Sequence, residues 1–281
     1  MSFKAAADEL GLTPTAISHQ VRLLEEMCER PLFRRRPRPI VLTPAGARLF
    51  PIIRNGFDAF ATALSEVKDD TTPQPLRVTT TNAFASRWLV PRLPLWRAAQ
   101  PDIDLEIIGT DDLIDLHAGD ADVAIRYTRS QPRLAVFELC RDRYWPVCSP
   151  KLLAAGTPIL RPADLAHYPL IRGFWPEWQI QPPTWQHWLD MARATDPEAA
   201  AVDAMAGPLF HEELHAMEAV MAGQGIGIAS DVLVARELAS GELVKVLDLS
   251  LPGFGFYVAQ VAGHPRRKMI DAFTAWLLSV A

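Results

Sequence analysis

The first 27 residues carry the hydrophobic periodicity of two short helices separated by a tight turn. Ser2 can cap a helix that runs to Leu10, Gly11 supplies the turn, and Thr13 with Pro14 marks the start of a second helix. One face of that second helix is apolar and contains Ile17, Val21 and Leu24. The opposite face is polar, as on any surface helix, and contains Thr15, Ser18, His19 and Arg22. The pattern predicts a helix-turn-helix.

A third helix is predicted after Thr43-Pro44, and its apolar residues follow a much narrower stripe. They recur at intervals of four and three residues: Gly46, Phe50, Ile53, Phe57, Phe60, Leu64 and Val67. This spacing is typical of a coiled-coil seam. A helix over residues 44–68 would be roughly 37 Å long, which suits a dimerisation arm. Pro51 should kink or weaken it, at a cost of about 3 kcal/mol.

Beyond a polar, proline-bearing linker at residues 69–75, β-rich runs alternate with helical patterns. The predicted strands are 76–81, 103–108, 121–127, 144–149, 169–172, 208–210, 225–229 and 257–261, and the predicted helices are 84–98, 111–118, 213–222 and a final helix to Ala281. Alternation of this kind predicts an α/β fold with parallel strands.

The composition fits a globular protein with about two domains. Apolar residues make up 49% of the 281 residues and charged residues 22%. No apolar run reaches the roughly 18 residues of a membrane span, and the N-terminus lacks the pattern of a secretory signal, so we expect a cytoplasmic protein. The three cysteines have no C-x-x-C spacing, which predicts reduced and mostly buried thiols.

The net charge of −5 hides a local basic segment. Residues 18–48 contain seven arginines and three glutamates. A proline-stiffened loop, Arg34-Arg35-Arg36-Pro37-Arg38-Pro39, is followed by an apolar run at residues 40–42, which together resemble the wing of a winged helix-turn-helix. We predict DNA contacts from the second helix and this loop, made by Pro14, Thr15, Ser18, His19, Arg22, Arg34, Arg35, Arg36 and Arg38.

At this point the sequence resembles a known family, the LysR-type transcriptional regulators. The run SFKAAADELGLTPTAISHQVRLLEEMCERPLFRRRPRPIVLTPAGARL resembles their DNA-binding signature. The resemblance continues in LVPRLPLW (89–96), ADVAIRY (121–127), PVCSP (146–150) and GQGIGIA (223–229), which are most similar to the subgroup of the glycine-cleavage activator and the β-lactamase regulators. It implies a non-enzymatic regulator that binds promoter DNA as a homodimer or homotetramer, without a cofactor.

The resemblance also implies a domain organisation. It places a winged helix-turn-helix at 1–42, a linker helix at 43–70 and a two-lobed α/β effector domain, like a periplasmic binding protein, at 75–281. Lobe I would comprise about 76–146 plus 250–281, and lobe II about 147–249. Family members carry a further helix ahead of this signature, so we expect a truncated winged domain or, more readily, a start codon upstream.

A cleft between two such lobes suits a small-molecule effector, because strand C-termini and helix N-termini converge there. The candidate effector-binding residues are Thr81, Asn82, Ala83, Phe84, Arg126, Tyr127, Phe210 and Glu213, although Phe84 and Phe210 also fit a core and Arg126 could pair with Asp122. Related regulators tend to have a small hydroxyl residue in place of Ala83 and of Glu213. We therefore hypothesise that the effector is not a simple carboxylate, or that it carries a cationic group.

One motif favours an enzyme instead. The segment from His211 to His215 reads H-E-x-x-H, as in zinc peptidases, but no H-x-x-G-x-x-H extension follows, although Glu218 or Glu237 could be a third ligand. A zinc-dependent peptidase is therefore an alternative to the regulator with no metal. A regulator that senses a divalent metal through His211, His215 and Glu212 or Glu213 is another. A tryptophan-rich stretch from Trp175 to Trp188 could pack internally or grip a ring or a cation.

Overall fold

The computed structural model describes residues 2–34, 40–68, 74–175 and 181–281. The chain forms two compact units, one comprising residues 1–71 and 117–119 and the other comprising 72–116 and 120–281. The helices are α1 (Phe3–Leu10), α2 (Pro14–Met27), α3 (Pro44–Lys68), α4 (Asn82–Phe84), α5 (Leu93–Ala99), α6 (Pro150–Ala155), α7 (Trp185–Ala192), α8 (Glu213–Met221), α9 (Ala235–Ser240) and α10 (Arg267–Val280).

The N-terminal unit contains the predicted helix-turn-helix, and local hydrogen bonds define its ends. The Ser2 hydroxyl accepts from the Ala5 N–H at 3.3 Å, Gly11 ends α1 in the left-handed conformation, and the Thr13 hydroxyl accepts from the Ala16 N–H at 3.2 Å. These contacts satisfy backbone groups that a helix end leaves unpaired. They confirm the helix boundaries predicted from the caps and the turn.

Two short strands follow α2 and pair as an antiparallel ribbon, β1 (Phe33–Arg34) with β2 (Val41–Leu42). The Glu25 carboxylate of α2 anchors this ribbon by accepting from the backbone N–H groups of Leu32 and Phe33 at 2.8 and 3.0 Å. The Thr43 hydroxyl donates to the Pro31 carbonyl at 2.7 Å and accepts from the Gly46 N–H at 3.1 Å. The ribbon and the start of α3 are therefore fixed to the helix-turn-helix.

Helix α3 is continuous over 25 residues and includes Pro51. Phe50, Phe57 and Phe60 of the predicted seam are exposed. The prediction that Gly46 belongs to the seam was wrong. A Cβ at this position would lie 2.1 Å from the Leu32 carbonyl oxygen, so Gly46 packs against its own N-terminal unit. The side chains of Leu64 and Val67 lie outside the described part of the helix.

The second unit is built on a mixed sheet. Its strands are β3 (Leu76–Thr80), β4 (Leu105–Gly109), β5 (Val123–Thr128), β6 (Ala135–Cys148), β7 (Leu170–Gly173), β8 (Leu209–Phe210), β9 (Ile226–Ser230), β10 (Val244–Lys245) and β11 (Leu251–Gln260). In the described residues the order is β4-β3-β5-β11-β6-β9-β7-β8, with β10 also paired to β6.

The prediction of parallel strands is right at the two ends of the sheet and wrong in its middle. Strand β3 runs parallel to β4 and β5, and β7 runs parallel to β8 and β9. Strands β11 and β6 instead pair antiparallel with each other and with β5 and β9. Their length joins the two parallel halves, since β6 contacts β11 through its first part and β9 through its last.

One of the predicted connecting helices is wrong, and α6, α7 and α9 were not predicted. Residues 82–99 are helical throughout, although a π-helical segment at 85–89 and a 3₁₀ turn at 90–92 separate α4 from α5. The predicted helix at 111–118 was wrong, because only Leu116–Ala118 form a 3₁₀ turn. Further 3₁₀ segments span Pro162–His167 and Pro197–Ala201. The Asp112 N–H bonds the Thr110 hydroxyl at 3.1 Å, a local turn contact that competes with a helix there.

The second unit has a large apolar core that includes Trp96, Phe84, Phe256 and Phe273, and a second apolar cluster around Trp188 and Leu165. A buried ion pair also lies within this unit: Arg87 Nη2 is 2.7 Å from Glu237 Oε1 of α9. Cys148 is buried, whereas Cys28 and Cys140 are half-buried. Among the described residues, no helix is long and apolar enough to span a membrane.

Candidate functional site

The polar face predicted on α2 is open to solvent. Thr15, His19 and Arg22 are exposed and Ser18 is half-buried, while Ile17 of the opposite face is only 8% exposed. Arg22 Nε lies 3.4 Å from Glu26 Oε1, an exposed i,i+4 ion pair that costs little to break. The face can therefore reach a ligand without disturbing the core.

The predicted basic loop is described only at its start. Arg34 is exposed and lies on β1, opposite Val41 of β2. Arg35, Arg36 and Arg38 lie outside the described residues. Pro14 occupies the first turn of α2, next to its Thr13 cap.

In the second unit, a cavity of about 1060 Å³ lies at the carboxyl ends of β3, β4 and β5. Three predicted residues line it: Thr81, Arg126 and Tyr127. The Thr81 hydroxyl caps α4 by accepting from the Phe84 N–H at 3.3 Å. Asn82 is exposed, and Gly109 is small enough to accommodate its side-chain oxygen, which would lie 2.9 Å from an added Cβ. The sheet thus brings part of the predicted set together.

A chain of polar side chains leads from this cavity into the protein. The Tyr127 hydroxyl donates to the Asp142 carboxylate, whose oxygens are 3.0 and 3.1 Å away. It also lies 3.2 Å from the Tyr144 hydroxyl, which donates to Glu213 Oε1 at 3.4 Å. Two carboxyl groups are therefore linked through two tyrosines, and we call these four residues the tyrosine–carboxyl network.

Both carboxyl groups of this network hold their protons more tightly than usual. Burial raises the pKa of Asp142 to about 6, against the opposing effect of hydrogen bonds from Ser230, Tyr127 and the Phe254 N–H. Burial raises the pKa of Glu213 to about 7, and the negative charges of Asp142 and Asp111 add to the effect. Burial also raises the pKa of Tyr127, so its hydroxyl remains a donor.

The sequence analysis missed Asp142 and Tyr144, although the sequence carries a signal for them. Both lie on the inward face of β6, where exposed Arg141 and Arg143 alternate with them. An aspartate in the apolar register of a strand is unusual enough to indicate a functional position. Gly253 makes room for it, because a Cβ there would lie 1.8 Å from Asp142 Oδ1.

A second cavity, of about 500 Å³, begins at Tyr144 and Glu213. Its walls are largely apolar and include Trp175, Trp185, Met205 and Met217. The Trp185 indole N–H donates to the Ile171 carbonyl at 2.9 Å, which fixes that ring. Part of the predicted tryptophan cluster therefore lines a cavity, whereas Trp188 is fully buried in the core.

Several of the predicted effector-binding residues do not line either cavity. Phe84 is fully buried, with its ring 4.8 Å from that of Trp88 and 4.4 Å from that of Phe256, so its side chain takes the core position that the sequence analysis gave as the alternative. Ala83 is buried beside it, at 4% exposure. Phe210 is half-buried and packs against the same core.

The suggested pairing of Arg126 with Asp122 was also wrong. Arg126 Nη2 donates to the Ile114 carbonyl, and burial lowers the pKa of its guanidinium. Asp122 instead pairs with Arg266 at 2.8 Å and accepts from the Arg77 N–H at 2.7 Å. Arg126 consequently remains at the wall of the larger cavity.

The H-E-x-x-H segment does not take the form that a zinc peptidase requires. Helix α8 begins at Glu213, so His211 precedes the helix and does not share a helical face with His215. The His211 ring stacks on Phe174 with centroids 4.7 Å apart. In the described residues, no three histidine, cysteine, aspartate or glutamate side chains come together as a metal site.

Comparison with known families matches both parts of the chain. Residues 1–47 match "Bacterial regulatory helix-turn-helix protein, lysR family", and residues 70–281 match "LysR substrate binding domain". The chain belongs to the LysR family of bacterial transcriptional regulators. Its relatives are regulators and not enzymes, so this LysR-type regulator is not a peptidase.

Curated relatives support the subgroup named from the sequence. The regulator is 33% identical to the glycine cleavage system transcriptional activator of Escherichia coli K12, over 100% of this chain and 89% of that protein. It is 31% identical to the transcriptional activator AmpR of Providencia stuartii, over 99% and 91% of the two chains.

Solved structures share the fold of this LysR-type regulator. The effector domain of AmpR of Pseudomonas aeruginosa matches with a TM-score of 0.58 and 24% identity, over 74% of this chain and 95% of that one. The full-length activator AphB of Vibrio cholerae matches with a TM-score of 0.54 and 19% identity, over 99% and 93%. Both show a shared fold, over an effector domain in AmpR and over nearly the whole chain in AphB.

Proposed function

We propose that this protein is a one-component transcription factor that binds promoter DNA in the cytoplasm through α2 and the β1–β2 wing. The observation that carries the proposal is the open polar face of α2, which the Thr13 cap and Ile17 hold in place. Short polar side chains and an arginine on such a face can reach base edges in a major groove. The proposed DNA contacts remain Pro14, Thr15, Ser18, His19, Arg22, Arg34, Arg35, Arg36 and Arg38.

The second part of the proposal is an effector bound in the α/β unit. The two cavities and the tyrosine–carboxyl network between them support a binding site that includes Thr81, Asn82, Arg126, Tyr127 and Glu213. Ala83, Phe84 and Phe210 would pack in the core beneath this site. Effector binding would alter the balance between two arrangements of the assembly and so change DNA binding.

The third part is assembly into a homodimer or homotetramer through α3. Phe57 and Phe60 are 70% and 62% exposed and lie three residues apart on one side of the helix. Exposed aromatic side chains in a heptad-like stripe are stabilised by a second helix. Replacing both with serine should shift sedimentation toward the monomer, whereas the same change at exposed Leu113 and Leu160 should not.

The DNA-binding proposal is tested by titrating the full chain against its own upstream DNA at two salt concentrations. Arg22→Ala should lower the affinity for DNA. If Arg22 contacts a phosphate, the slope of log affinity against log salt should fall by about 1. If Arg22 contacts a base, the variant should lose about 1–3 kcal/mol of binding free energy and its specificity at that base pair. Arg97→Ala is the matched control, because Arg97 is an exposed helical arginine of the effector unit.

Two results would contradict the proposal. Equal affinity of the wild type for upstream DNA and for an unrelated duplex would argue against a specific regulator. Equal losses for Arg22→Ala and Arg97→Ala would remove α2 from the DNA interface and indicate that only net charge matters.

A further inference from the structure

The cavity of about 500 Å³ in the effector unit combines apolar walls with very few charges. Of the described residues that line it, Glu213 alone carries a carboxyl group and Arg172 alone carries a basic group. A cavity of this size suits a small organic molecule. Because the rest of the lining is neutral, these two side chains decide which charges a ligand can bring.

Arg172 already has partners within the protein. Its Nε and Nη2 donate to the Gly207 carbonyl at 3.2 and 3.0 Å, and its Nη1 lies 3.2 Å from the Met205 sulfur. The guanidinium is therefore held at the β7 side of the cavity by a carbonyl and a thioether. Among the described residues, no ion pair joins Arg172 to Glu213.

The Glu213 carboxyl group has fewer hydrogen-bond partners than the Arg172 guanidinium. In the described structure its one hydrogen-bond donor is the Tyr144 hydroxyl, at the long distance of 3.4 Å. The titratable groups that act on it are Tyr144 and Asp142 on β6, Tyr127 on β5 and Asp111 after β4, while Arg172 on β7 lines the same cavity without pairing with Glu213. Two of these are further carboxyl groups, so the ionised form of Glu213 is repelled more than it is stabilised.

A half-buried carboxylate that pairs with no cation among the described residues is costly, and the usual remedies are a proton or an opposite charge. The position of Glu213 in the first turn of α8 favours the anion, yet the pKa of Glu213 is still raised to about 7. The desolvated carboxyl therefore has affinity for a positive charge that the described residues do not supply. A ligand that enters the cavity could supply it.

The walls next to Glu213 determine the rest of such a ligand. Trp175 and Tyr144 meet edge to face with ring centroids 6.0 Å apart, and Trp185 lies beyond them, held by its hydrogen bond to Ile171. Fixed aromatic rings bind apolar groups and also attract cations over their faces. The cavity is thus suited to an apolar body joined to a cationic head.

We infer that the effector of this protein is an organic cation, a protonated amine or guanidinium on an apolar or aromatic body, whose charged group pairs with Glu213. This inference rests on the proposed function, since it assigns the chemical class of the effector. It goes further by selecting against anionic ligands, because the Glu213 carboxylate lines the cavity and the charges of Asp142 and Asp111 act on the same carboxyl group.

The experiment is calorimetric titration of the full chain with three probes of similar shape and different charge. These are 2-phenylethylamine, 2-phenylethanol and 3-phenylpropanoate, which are cationic, neutral and anionic at pH 8. The amine should bind at least about tenfold more tightly than the other two, the effect of one charged hydrogen bond in a desolvated site. Equal or tighter binding of the anion, or no binding of the amine, would overturn the inference.

Two variants assign the effect to one carboxyl. Glu213→Gln keeps the shape and should lower amine affinity about tenfold while leaving the alcohol unchanged. Glu212→Gln is the matched control, because Glu212 is exposed and adjacent in sequence. If Glu213→Gln bound the amine as tightly as the wild type does, Glu213 would not be the counter-ion. Thermal melting of each variant checks that it is folded.

A pH series gives a readout that a purely structural role for Glu213 would not produce. Amine affinity should rise about fivefold to tenfold from pH 6 to pH 8, because the carboxyl with a pKa of about 7 loses its proton over this range. Glu213→Gln should flatten this profile. A profile of equal slope in the variant would overturn the assignment to Glu213.

The same preparations separate this inference from the proposed function. DNA binding is measured without any amine, so sequence-specific DNA binding with no amine affinity would overturn only the effector class. Loss of specific DNA binding with normal amine binding would overturn the regulator and leave the cation site standing.

Discussion

The two units of this protein are stabilised in different ways. Among the described side chains of the N-terminal unit, only Ala7, Ile17 and Leu32 are buried apolar residues, whereas the effector unit has apolar clusters that contain several fully buried aromatic rings. The N-terminal unit relies instead on caps and on Glu25, which binds two backbone N–H groups. A DNA-binding head can thus present most of its surface, while an effector domain needs a large core around its cavities.

The two units also differ in how deeply their ion pairs are buried. The Arg22–Glu26 pair of the N-terminal unit is exposed on both sides, at 62% and 61%. The Arg87–Glu237 pair of the effector unit is buried, at 13% and 2%. Exposed pairs contribute little because water screens them, whereas removal of one member of a buried pair leaves a desolvated charge. Stability should therefore respond very differently to charge removal in the two units.

Removal of Glu237 is expected to have the largest effect. Glu237→Ala leaves Arg87 buried without its carboxylate and should lower the free energy of unfolding of the effector unit by about 3–5 kcal/mol. Urea denaturation followed by tryptophan fluorescence measures this change. Asp271→Ala removes the exposed partner of Arg267 and serves as the control, with an expected loss of about 0.5 kcal/mol. Similar losses for both variants would contradict the contrast between buried and exposed pairs.

The next effect concerns pH and sharpens the contrast between the units. Asp142 and Glu213, with pKa values of about 6 and about 7, bind protons in the folded chain at pH values where the unfolded chain has lost them. The folded state then binds more protons between about pH 4 and pH 7, so the stability of the effector unit should fall as pH rises through that window.

Glu213→Gln tests this linkage. The variant should gain about 1–2 kcal/mol relative to the wild type between pH 5 and pH 8, because it has no carboxyl to ionise. Urea unfolding at several pH values measures the difference. Glu212→Gln should show no such gain, and a pH-independent difference for Glu213→Gln would count against the raised pKa.

The smallest effect is expected in the N-terminal unit, from the loss of a cap. Thr13→Ala removes the acceptor for the Ala16 N–H and should destabilise α2 by about 1 kcal/mol. Hydrogen exchange of the first-turn amides of α2 should rise, while amides of β6 stay protected. Thr13→Ser keeps the hydroxyl and should restore protection. Equal exchange in the alanine and serine variants would show that the cap is dispensable.

The sequence predicted local features well because their causes are local. Capping residues, Gly11 and the apolar spacing located α1, α2 and α3, and β-rich runs located the core of β3, β5 and β9. Residues 111–118 were the exception, since a turn contact outweighed their helical pattern. The middle of the sheet was misjudged because strand direction depends on partners that are distant along the chain.

The sequence by itself determined the family, the order of the domains and the face of α2 that is exposed, because these follow from residue types at fixed short spacings. Only the tertiary structure brought Asp142 and Tyr144 of β6 together with Tyr127 of β5 and Glu213 of α8, since β6 and α8 are distant along the chain. It also placed Phe84 in the core and Glu213 at a cavity. Burial decides both the charge and the accessibility of a side chain, and burial is a property of the packed chain.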